Sequence, residues 1–380
     1  MRINRFLRGI LCILFTMALS VAGAESMPAH DLIFRTPNEN SEQLCDHAFC
    51  YWQMTQGETD EDIVWQVLTQ PVTVLKGKER EQCRVLAEPD ENCTEYVGCV
   101  TYASQGVHVL QTDGDWTLIE AYSSCTEGSK VAVWAERFQG WVRTDLLKEV
   151  QVDQHYGVVI DKLQQRLYVY KDGKLFSTLM CSTGFPREDT PFNETPAGEF
   201  ILVSKVGQIT SGQLVCERAM RINDGILIHE VPYIPKVNEE TGETTRDYSR
   251  CERYLGEKAS HGCIRVQKEK TPEGVNAEWL WKNLKNKAPN TKVIIWDEIG
   301  RTLGYPDDSY PLYYNPKGGK QYHSSAYCTL VRDKYKPLKE FTWGELEDEK
   351  YAGLTRCPGC APQLRRAEID TLNEKNTRGK

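Results

Sequence analysis

The sequence predicts a mainly β protein with more than one domain. Short apolar runs recur along the chain and are separated by turn residues such as Asp113-Gly114-Asp115, a pattern typical of short strands joined by tight turns. Within residues 154–297, only the segment from Glu278 to Leu284 has the apolar spacing of a convincing amphipathic helix. With 380 residues, the chain is long enough for two or three domains. We therefore expect β-rich domains arranged in series.

The N-terminus has the pattern of a secretory signal peptide, which we assign to residues 1–24. A basic leader with three arginines precedes an apolar run from Ile10 to Phe15, and small residues end at Ala24. The apolar run is too short to remain as a lasting membrane anchor. We predict cleavage after Ala24 and export to the periplasm or cell wall.

Two segments follow the signal peptide, a polar one over residues 25–61 and a β-rich one over residues 62–150. In the first, Cys45 and Cys50 are close enough to staple a local turn. The second begins with an alternating stretch from Ile63 to Val74, which predicts a strand. Further apolar runs follow at a spacing that predicts a small β-barrel. These runs are 96–97, 107–110, 116–119, 131–134 and 140–142.

A second set of strand patterns occupies residues 154–297. Apolar and β-branched residues again form short runs bounded by turns, and the predicted amphipathic helix lies near the end of the set. The runs are Tyr156 to Asp161, Arg166 to Tyr170, Leu175 to Met180, Ile201 to Val203 and Lys292 to Trp296. We expect a second, larger β-rich domain here.

The hexapeptide Ser260-His261-Gly262-Cys263-Ile264-Arg265, with His229 upstream, is a candidate for cysteine nucleophilic catalysis. The thiolate is the attacking species, so it needs a nearby base and cationic surroundings that lower the thiol pKa. Gly262 lets the backbone approach a reacting carbonyl, where amide N–H groups can hold an oxyanion. For a cysteine considered alone, a purely structural role would be the alternative.

The hexapeptide and His229 resemble the signature of the L,D-transpeptidase (YkuD-type) catalytic domain, which would cover residues 154–297. The resemblance implies a β-rich fold in which Cys263 is the nucleophile and His229 exchanges protons with it. It also implies that His261 and Gly262 line the site, with backbone amides near Cys263 as the oxyanion hole.

The resemblance further implies two substrate-binding candidates and one unusual segment. Ser260 would line the site, and Arg265 stands where the family shows Arg or Asn. For Arg265, substrate contact and a surface ion pair both remain open. The stretch between His229 and Ser260 is longer than in the family members we compare it with. We interpret residues 231–254 as a lid or capping loop over the cleft.

Residues 62–150 resemble the bacterial Src-homology-3-like (SH3-like) domain, which commonly binds cell-wall peptide. The resemblance rests on Gly114-Asp115-Trp116 and Gly140-Trp141-Val142. We expect Trp116 and Trp141 to be core residues rather than surfaces on which a ligand stacks.

The reaction that the resemblance implies is acyl transfer without a cofactor. Cys263 would attack the L-to-D peptide bond of a peptidoglycan stem tetrapeptide, release the terminal D-amino acid and pass the thioester to an amine of a neighbouring stem. Donor and acceptor stem peptides are therefore the expected partners. The formal charge of −8 argues against a nucleic-acid partner, which would need a basic surface.

Two other functions remain open at this point. With water as the acceptor, the same site would be that of an L,D-carboxypeptidase or of a hydrolase that cleaves cross-links. Alternatively, the protein could bind cell wall without catalysis, its cysteine domain having decayed. The intact His229 and Cys263 count against decay.

The cysteine content predicts disulfides, because exported proteins meet an oxidising compartment. The chain has 14 cysteines. Removing Cys12 with the signal peptide and reserving Cys263 as a free thiol leaves an even number. Parity agrees with a disulfide framework, whose connectivity the sequence does not give.

The C-terminal module, residues 303–372, carries one histidine and three cysteines that could form a tetrahedral zinc site. They are His323, Cys328, Cys357 and Cys360. Three zinc-bound thiolates would leave an odd number of cysteines, and export favours oxidation. We therefore favour disulfides here and assign no metal ligand, while zinc remains the alternative.

Overall fold

The computed structural model describes residues 52, 60–124, 134–328, 330–357, 360 and 362–378. The expected signal peptide and nearly all of the segment 25–61 lie outside these residues, as do Cys12, Cys45, Cys50 and Cys125. The described part is mainly β, in agreement with the sequence. No helix in this part has both the length and the apolar character needed to cross a membrane.

The first described element is a helix, α1 (Glu61–Thr69), where the alternating pattern predicts a strand. The strand prediction is wrong for these residues. The Asp60 side chain accepts a hydrogen bond from the backbone N–H of Asp62 at 2.8 Å and so caps the helix N-terminus. Val64, Val67 and Leu68 are buried at the spacing of one helix face. That helical spacing outweighs the shorter alternating pattern.

The N-terminal β region contains two antiparallel sheets. Strands β1 and β7 form a pair, and five strands form a sheet in the order β3-β2-β6-β5-β4. The predicted hairpin is confirmed, since Asp113 pairs with Trp116 across a turn at Gly114. Trp116 and Trp141 are each half-buried. The strands are β1 (Val72–Leu75), β2 (Gln82–Leu86), β3 (Tyr96–Thr101), β4 (His108–Asp113), β5 (Trp116–Tyr122), β6 (Arg137–Arg143) and β7 (Leu147–Val150).

A nine-stranded sheet forms the centre of the molecule, in the order β11-β18-β8-β9-β10-β17-β14-β13-β12. The predicted helix is confirmed as α3 (Ala277–Asn283), which packs its apolar face on one side of this sheet, while α1 packs on the other. Strands β15 and β16 form a separate hairpin, followed by the short helix α2 (Ser249–Glu252). The strands are β8 (Val152–Asp161), β9 (Arg166–Lys171), β10 (Lys174–Ser182), β11 (Gly198–Ile201), β12 (Ser204–Ser211), β13 (Leu214–Asn223), β14 (Ile226–Glu230), β15 (Ile234–Val237), β16 (Thr244–Asp247), β17 (Ile264–Val266) and β18 (Asn290–Trp296).

The C-terminal module has a four-stranded sheet in the order β21-β19-β20-β22 and its own small aromatic core. Helix α4 (Arg366–Arg378) follows the sheet. The strands are β19 (Pro311–Tyr314), β20 (Gln321–His323), β21 (Lys339–Thr342) and β22 (Thr355–Arg356). Short 3-10 helices are Thr144–Leu146, Pro191–Asn193, Asp333–Tyr335 and Trp343–Glu347.

All ten cysteines within the described ranges are thiols in the structure. The expected disulfide framework is therefore not found among them and stays a prediction.

A buried ion pair joins the central sheet to the N-terminal β region. Lys292 Nζ on β18 lies 2.8 Å from a carboxylate oxygen of Glu199 on β11, and His108 Nε2 on β4 lies 3.2 Å from the other. Lys292 Nζ also donates to the carbonyl oxygen of Val67 in α1 at 2.8 Å. Burial alone would raise the pKa of Glu199, but Lys292 and then His108 lower it to about 2.

We expect Lys292→Met to lower the free energy of unfolding by ~3–5 kcal/mol, because Glu199 would keep a buried charge without its main partner. Lys282→Met is the control, since Lys282 and Glu278 form an exposed pair whose loss should cost at most about 0.5 kcal/mol. Urea denaturation of both variants gives the comparison. Equal losses would contradict the role given to this pair.

The ion pair between Lys292 and Glu199 also makes the stability of the fold depend on pH under acid conditions. The pKa of Glu199 is lower in the folded state than its ordinary value of 4.5, so its contribution is fully present above pH 4.5. It is lost as the pH falls toward 2.

Candidate active site

The sequence motif lies where β17 enters the central sheet between β10 and β14. Strands β14 and β17 are parallel, with His229 opposite Arg265 and Ile228 opposite Ile264. Side chains alternate between the two faces of a strand, so His229 and Arg265 lie on one face, and Cys263 immediately precedes β17 in the chain. The two isoleucines point to the other face and are buried in the main core. Sheet register thus places the imidazole and the guanidinium side by side, and the charge of Arg265 also acts on the Cys263 thiol.

The loop before Cys263 is held by side-chain hydrogen bonds. Gly262 has φ of +110°, a conformation that favours glycine, and a Cβ there would lie 2.8 Å from a side-chain carbon of Ile226. The hydroxyl of Thr195 donates to the carbonyl oxygen of Gly262 at 2.7 Å and accepts from the backbone N–H of Gly184 at 2.8 Å. Thr195 was not singled out from the sequence, which shows it only as part of a turn.

Ser260 is buried, and its hydroxyl is used inside the loop. It donates to the carbonyl oxygen of Cys263 and accepts from the backbone N–H of Gly262 at 3.2 Å. The structure therefore places Ser260 behind the motif, where it fixes the backbone around Cys263.

We expect Thr195→Val to reduce the rate of Cys263 acylation by ~10–100-fold without unfolding the domain. The variant keeps the side-chain shape but loses both hydrogen bonds that hold the Gly262 loop, and small displacements of catalytic groups are costly. Thr210→Val is the matched control, because Thr210 is exposed on the edge strand β12. Acylation kinetics and thermal melting of both variants test this. Equal acylation rates would contradict a positioning role for Thr195.

His229 is buried in a defined tautomer. Its Nδ1 lies 2.7 Å from the carbonyl oxygen of Glu230. A carbonyl oxygen only accepts hydrogen bonds, so Nδ1 must carry the proton and Nε2 keeps a free lone pair. Burial lowers the pKa of His229 to about 4, with a further lowering by Arg265 that the Glu230 carbonyl partly offsets. At neutral pH the ring is therefore neutral, as a general base must be.

Cys263 is half-buried, and its thiol is protonated in the resting site. Burial raises the thiol pKa, while the backbone N–H of Leu227 and the charges of Arg265 and Arg221 lower it. Its Sγ lies 3.5 Å from the carbonyl oxygen of Gly225. Among the described residues, Cys263 and the His229 ring share no hydrogen bond. The thiol and the imidazole are thus both neutral at rest and do not form an ion pair.

Arg265 supplies positive charge to this face of the sheet. The residue is buried, and its guanidinium makes no hydrogen bond or ion pair with any residue in the described ranges. The alternative of a surface ion pair is therefore wrong. A second buried arginine, Arg221 on β13, donates to the carbonyl oxygen of Asp224 and also lowers the pKa of Cys263. Arg221 stands in an ordinary strand sequence, which offered no signal for its role.

His261 is exposed and lines a cleft of about 230 Å³. The cleft includes Gly225, whose carbonyl oxygen lies 3.5 Å from Sγ of Cys263. One wall comes from the N-terminal β region, where Ser124 accepts a hydrogen bond from Asn223 at 2.7 Å. Sequence reasoning missed this wall. The other lining residues are Ser123, Trp134, Ala135, Pro191, Phe192, Glu194, Pro196, Asp224 and Ile226.

The inserted segment 231–254 packs beside the site. Tyr233 forms a β-bridge with Val215 on β13, Arg246 forms an ion pair with Glu217 at 2.9 Å, and no residue of the segment lines the cleft at His261. Its role as a lid therefore stays a prediction.

Two further thiols lie near the predicted nucleophile. Burial raises the pKa of Cys216 on β13 to about 11, and the Cys263 thiol adds to this effect. Burial also raises the pKa of the Cys251 thiol, which Arg265 partly offsets. A raised pKa lowers the thiolate fraction, so both thiols are weaker nucleophiles at neutral pH than an ordinary cysteine.

A larger cavity, of about 610 Å³, lies between the central sheet and the C-terminal module. None of the predicted site residues lines it.

A thiol at the start of β17 and a neutral, oriented imidazole on the adjacent strand β14 are components of cysteine-dependent acyl transfer or hydrolysis. The family model for the L,D-transpeptidase catalytic domain, YkuD, matches residues 155–295. These residues form an L,D-transpeptidase catalytic domain. A search of curated proteins found no match.

Several solved L,D-transpeptidases are similar to this chain. The match to the enzyme from Xylanimonas cellulosilytica has 21% identity and a TM-score of 0.25, and it covers 37% of this chain and 60% of that one. The match to the enzyme from Mycobacterium smegmatis has 16% identity and a TM-score of 0.27, and it covers 60% of this chain and 92% of that one. The match to the catalytic domain of the E. faecium enzyme has 23% identity and a TM-score of 0.21, and it covers 37% of this chain and 96% of that one. The family assignment rests on the sequence model and not on these likenesses.

Proposed function

We propose that the protein is an exported L,D-transpeptidase that cross-links or remodels peptidoglycan through a cysteine thioester acyl-enzyme. The observations that support the proposal are that Cys263 directly precedes β17, whose Arg265 pairs in parallel register with His229 on β14, and that Nδ1 of His229 donates to the carbonyl oxygen of Glu230. This tautomer leaves Nε2 as the proton acceptor. The matched catalytic domain supplies the reaction class.

In the first step, the Cys263 thiol attacks the carbonyl carbon of the L-to-D bond of a stem tetrapeptide while Nε2 of His229 takes the thiol proton. Backbone amides near Cys263 hold the oxyanion, with Gly262 allowing their close approach. Collapse of the tetrahedral intermediate breaks the C–N bond, and the imidazolium gives its proton to the leaving D-amino acid. The thioester remains on Cys263.

In the second step, an acceptor amine from a neighbouring stem attacks the thioester carbonyl. His229 takes the proton released by that amine, and the C–S bond breaks to restore the thiol. Because both groups are neutral at rest, proton transfer accompanies sulfur attack in the first step. No redox change and no cofactor are needed.

The charged and polar groups around the thiol suit a peptide that ends in a carboxylate. Arg265 has no anionic partner in the described ranges and lies beside His229 in register, so we propose that it contacts the donor stem. His261 would face the substrate from the exposed cleft. Ser260 would act on substrate through the loop backbone that its hydroxyl fixes.

The N-terminal β region would guide the peptide into the site. We propose that it is the SH3-like domain that the sequence resembles, and that it holds cell-wall peptide next to the catalytic sheet. The support is its contribution of one cleft wall, including Ser124 and Trp134. Export through the N-terminal signal peptide would bring the protein to the peptidoglycan.

Incubation of the full chain with defined disaccharide tetrapeptides, followed by mass spectrometry of the products, tests this function. We expect cross-linked dimers together with released D-amino acid. Stem tripeptides without dimers would instead establish an L,D-carboxypeptidase, and cleavage of added dimers would establish a cross-link hydrolase. Binding of peptidoglycan without any product would contradict catalysis altogether.

A further inference from the structure

The C-terminal module brings four residues with metal-binding side chains to one point. Strands β20 and β22 are parallel, with Tyr322 opposite Arg356. The next residue on each strand, His323 and Cys357, therefore lies at the same end of the sheet, and the backbone N–H of Cys357 donates to the carbonyl oxygen of Tyr322 at 3.0 Å. The side chains of Cys328 and Cys360 lie at this end as well.

The distances between the four side chains fit a tetrahedral metal. One ligand atom from each of the four residues lies within 4.8 Å of the other three. The Sγ atoms of Cys328 and Cys357 are 3.8 Å apart, and Sγ of Cys360 is 3.7 Å from Nδ1 of His323. In a zinc tetrahedron with Zn–S of about 2.3 Å and Zn–N of about 2.1 Å, the corresponding separations are about 3.8 Å and about 3.6 Å. A disulfide would require about 2.0 Å.

The surroundings of the four side chains also fit a bound metal. His323, Cys328 and Cys357 are buried. The backbone N–H of Ser324 donates to Sγ of Cys360 at 3.3 Å, and its hydroxyl donates to the Cys360 carbonyl oxygen at 2.8 Å. These bonds orient the sulfur from outside the cluster, as groups around metal ligands do.

We propose that His323, Cys328, Cys357 and Cys360 bind one zinc ion as a structural site. Three thiolates and one imidazole form a ligand set typical of structural zinc sites, and this set favours zinc over divalent cations that prefer oxygen ligands. All four positions come from the protein, which leaves none for water or substrate. This site lies outside the matched catalytic domain and does not depend on the proposed function.

Zinc explains this cluster better than the disulfides that the sequence favours. Three mutually adjacent thiols cannot pair completely, whereas one metal uses all of them together with the histidine. The odd number of cysteines that a zinc site would leave for disulfides is no longer an objection, because Cys181 is fully buried in the main apolar core. A cysteine in that position packs like a small apolar residue, and setting it aside restores an even number among the others.

The size of the module gives the metal a role. Its apolar core is a small cluster around Leu312, Tyr322, Phe341 and Trp343. Domains with so few core residues commonly need a disulfide or a metal for stability. His323 ends β20, Cys357 directly follows β22, and Cys328 and Cys360 come later in the chain, so the ion would link the two strands to the residues after them.

Thiol protection in the full-length wild-type chain tests the proposal without any variant. The protein is purified without chelator, its zinc is measured by elemental mass spectrometry, and its thiols are alkylated before and after EDTA. We expect one zinc per chain and alkylation of Cys328, Cys357 and Cys360 only after EDTA. Alkylation without EDTA, or alkylation that requires a reductant, would overturn the proposal.

Variants of the full chain then assign the ligands. Cys357→Ser and His323→Ala should each lose most of the bound zinc. His323→Cys should retain it, because four thiolates also form a tetrahedral site. Cys93→Ser is the control, since Cys93 is a half-buried thiol in the N-terminal β region. Full zinc content in Cys357→Ser would overturn the assignment, and failure of that variant to fold would leave the wild-type protection result decisive.

Discussion

Cys263→Ala should fold like the wild-type protein and lose all acyl transfer. It should also lose all covalent labelling by a carbapenem, an acylating inhibitor typical of the family that the chain resembles. The physical reason is that the thioester forms on this sulfur alone, while the half-buried position tolerates a smaller side chain. Intact-protein mass spectrometry after carbapenem treatment measures the labelling, and circular dichroism confirms the fold.

The neighbouring cysteines supply the controls for this prediction. Cys216→Ala and Cys251→Ala remove thiols whose pKa burial raises, so both variants should keep carbapenem labelling and product formation. If Cys263→Ala still gains the inhibitor mass, or if either control loses it, the nucleophile has been assigned to the wrong residue.

His229→Ala should slow acylation by ~10²–10⁴-fold, the range typical of a general acid–base group. In the wild-type protein the pKa of His229 is lowered to about 4, so the ring is neutral and able to accept a proton at any pH above that value. The acylation rate of the wild-type protein should therefore stay nearly constant from pH 8 down to about 5 and then fall as the His229 ring becomes protonated near pH 4.

Without His229, the reaction depends on the small thiolate fraction of Cys263. Burial raises the pKa of that thiol, so the rate in the variant should climb about tenfold per pH unit through neutrality. Iodoacetamide labelling across pH gives both profiles. His261→Ala is the control, because His261 is exposed in the cleft, and its profile should follow the wild type. Exchange of the two behaviours would mean that the two histidines have exchanged roles.

Local patterns were sufficient for much of the fold. Strands β8, β9, β10 and β18 of the central sheet, the Asp113–Trp116 hairpin and helix α3 were predictable because their periodicity or turn chemistry acts over a few residues. The strand predicted at Ile201 to Val203 overlaps β11 only at Ile201. Helix α1 was mispredicted, because its residues fit both an alternating and a helical pattern. Burial of Val64, Val67 and Leu68 against the central sheet decides between the two patterns, and that contact is tertiary.

The candidate site likewise contains residues that the sequence identifies and residues that only tertiary contacts bring to the site. The motif identified Cys263 and its neighbours, since they are consecutive, and resemblance identified His229. Arg221, Thr195 and the wall at Ser124 depend on contacts between distant segments, which no spacing in the sequence shows. The resting protonation of Cys263 and His229 also depends on burial. The motif suggested surroundings that lower the thiol pKa, whereas in the structure burial raises it and also lowers the pKa of His229.

The most direct test of the central claim is to trap the acyl-enzyme. The full chain is mixed briefly with a stem tetrapeptide donor in the absence of acceptor, quenched in acid, digested and sequenced by mass spectrometry. The account predicts that the peptide containing Cys263 carries the mass of the acylated stem tripeptide as a thioester that hydroxylamine removes. An adduct on any other residue, or turnover of donor in Cys263→Ala, would contradict it.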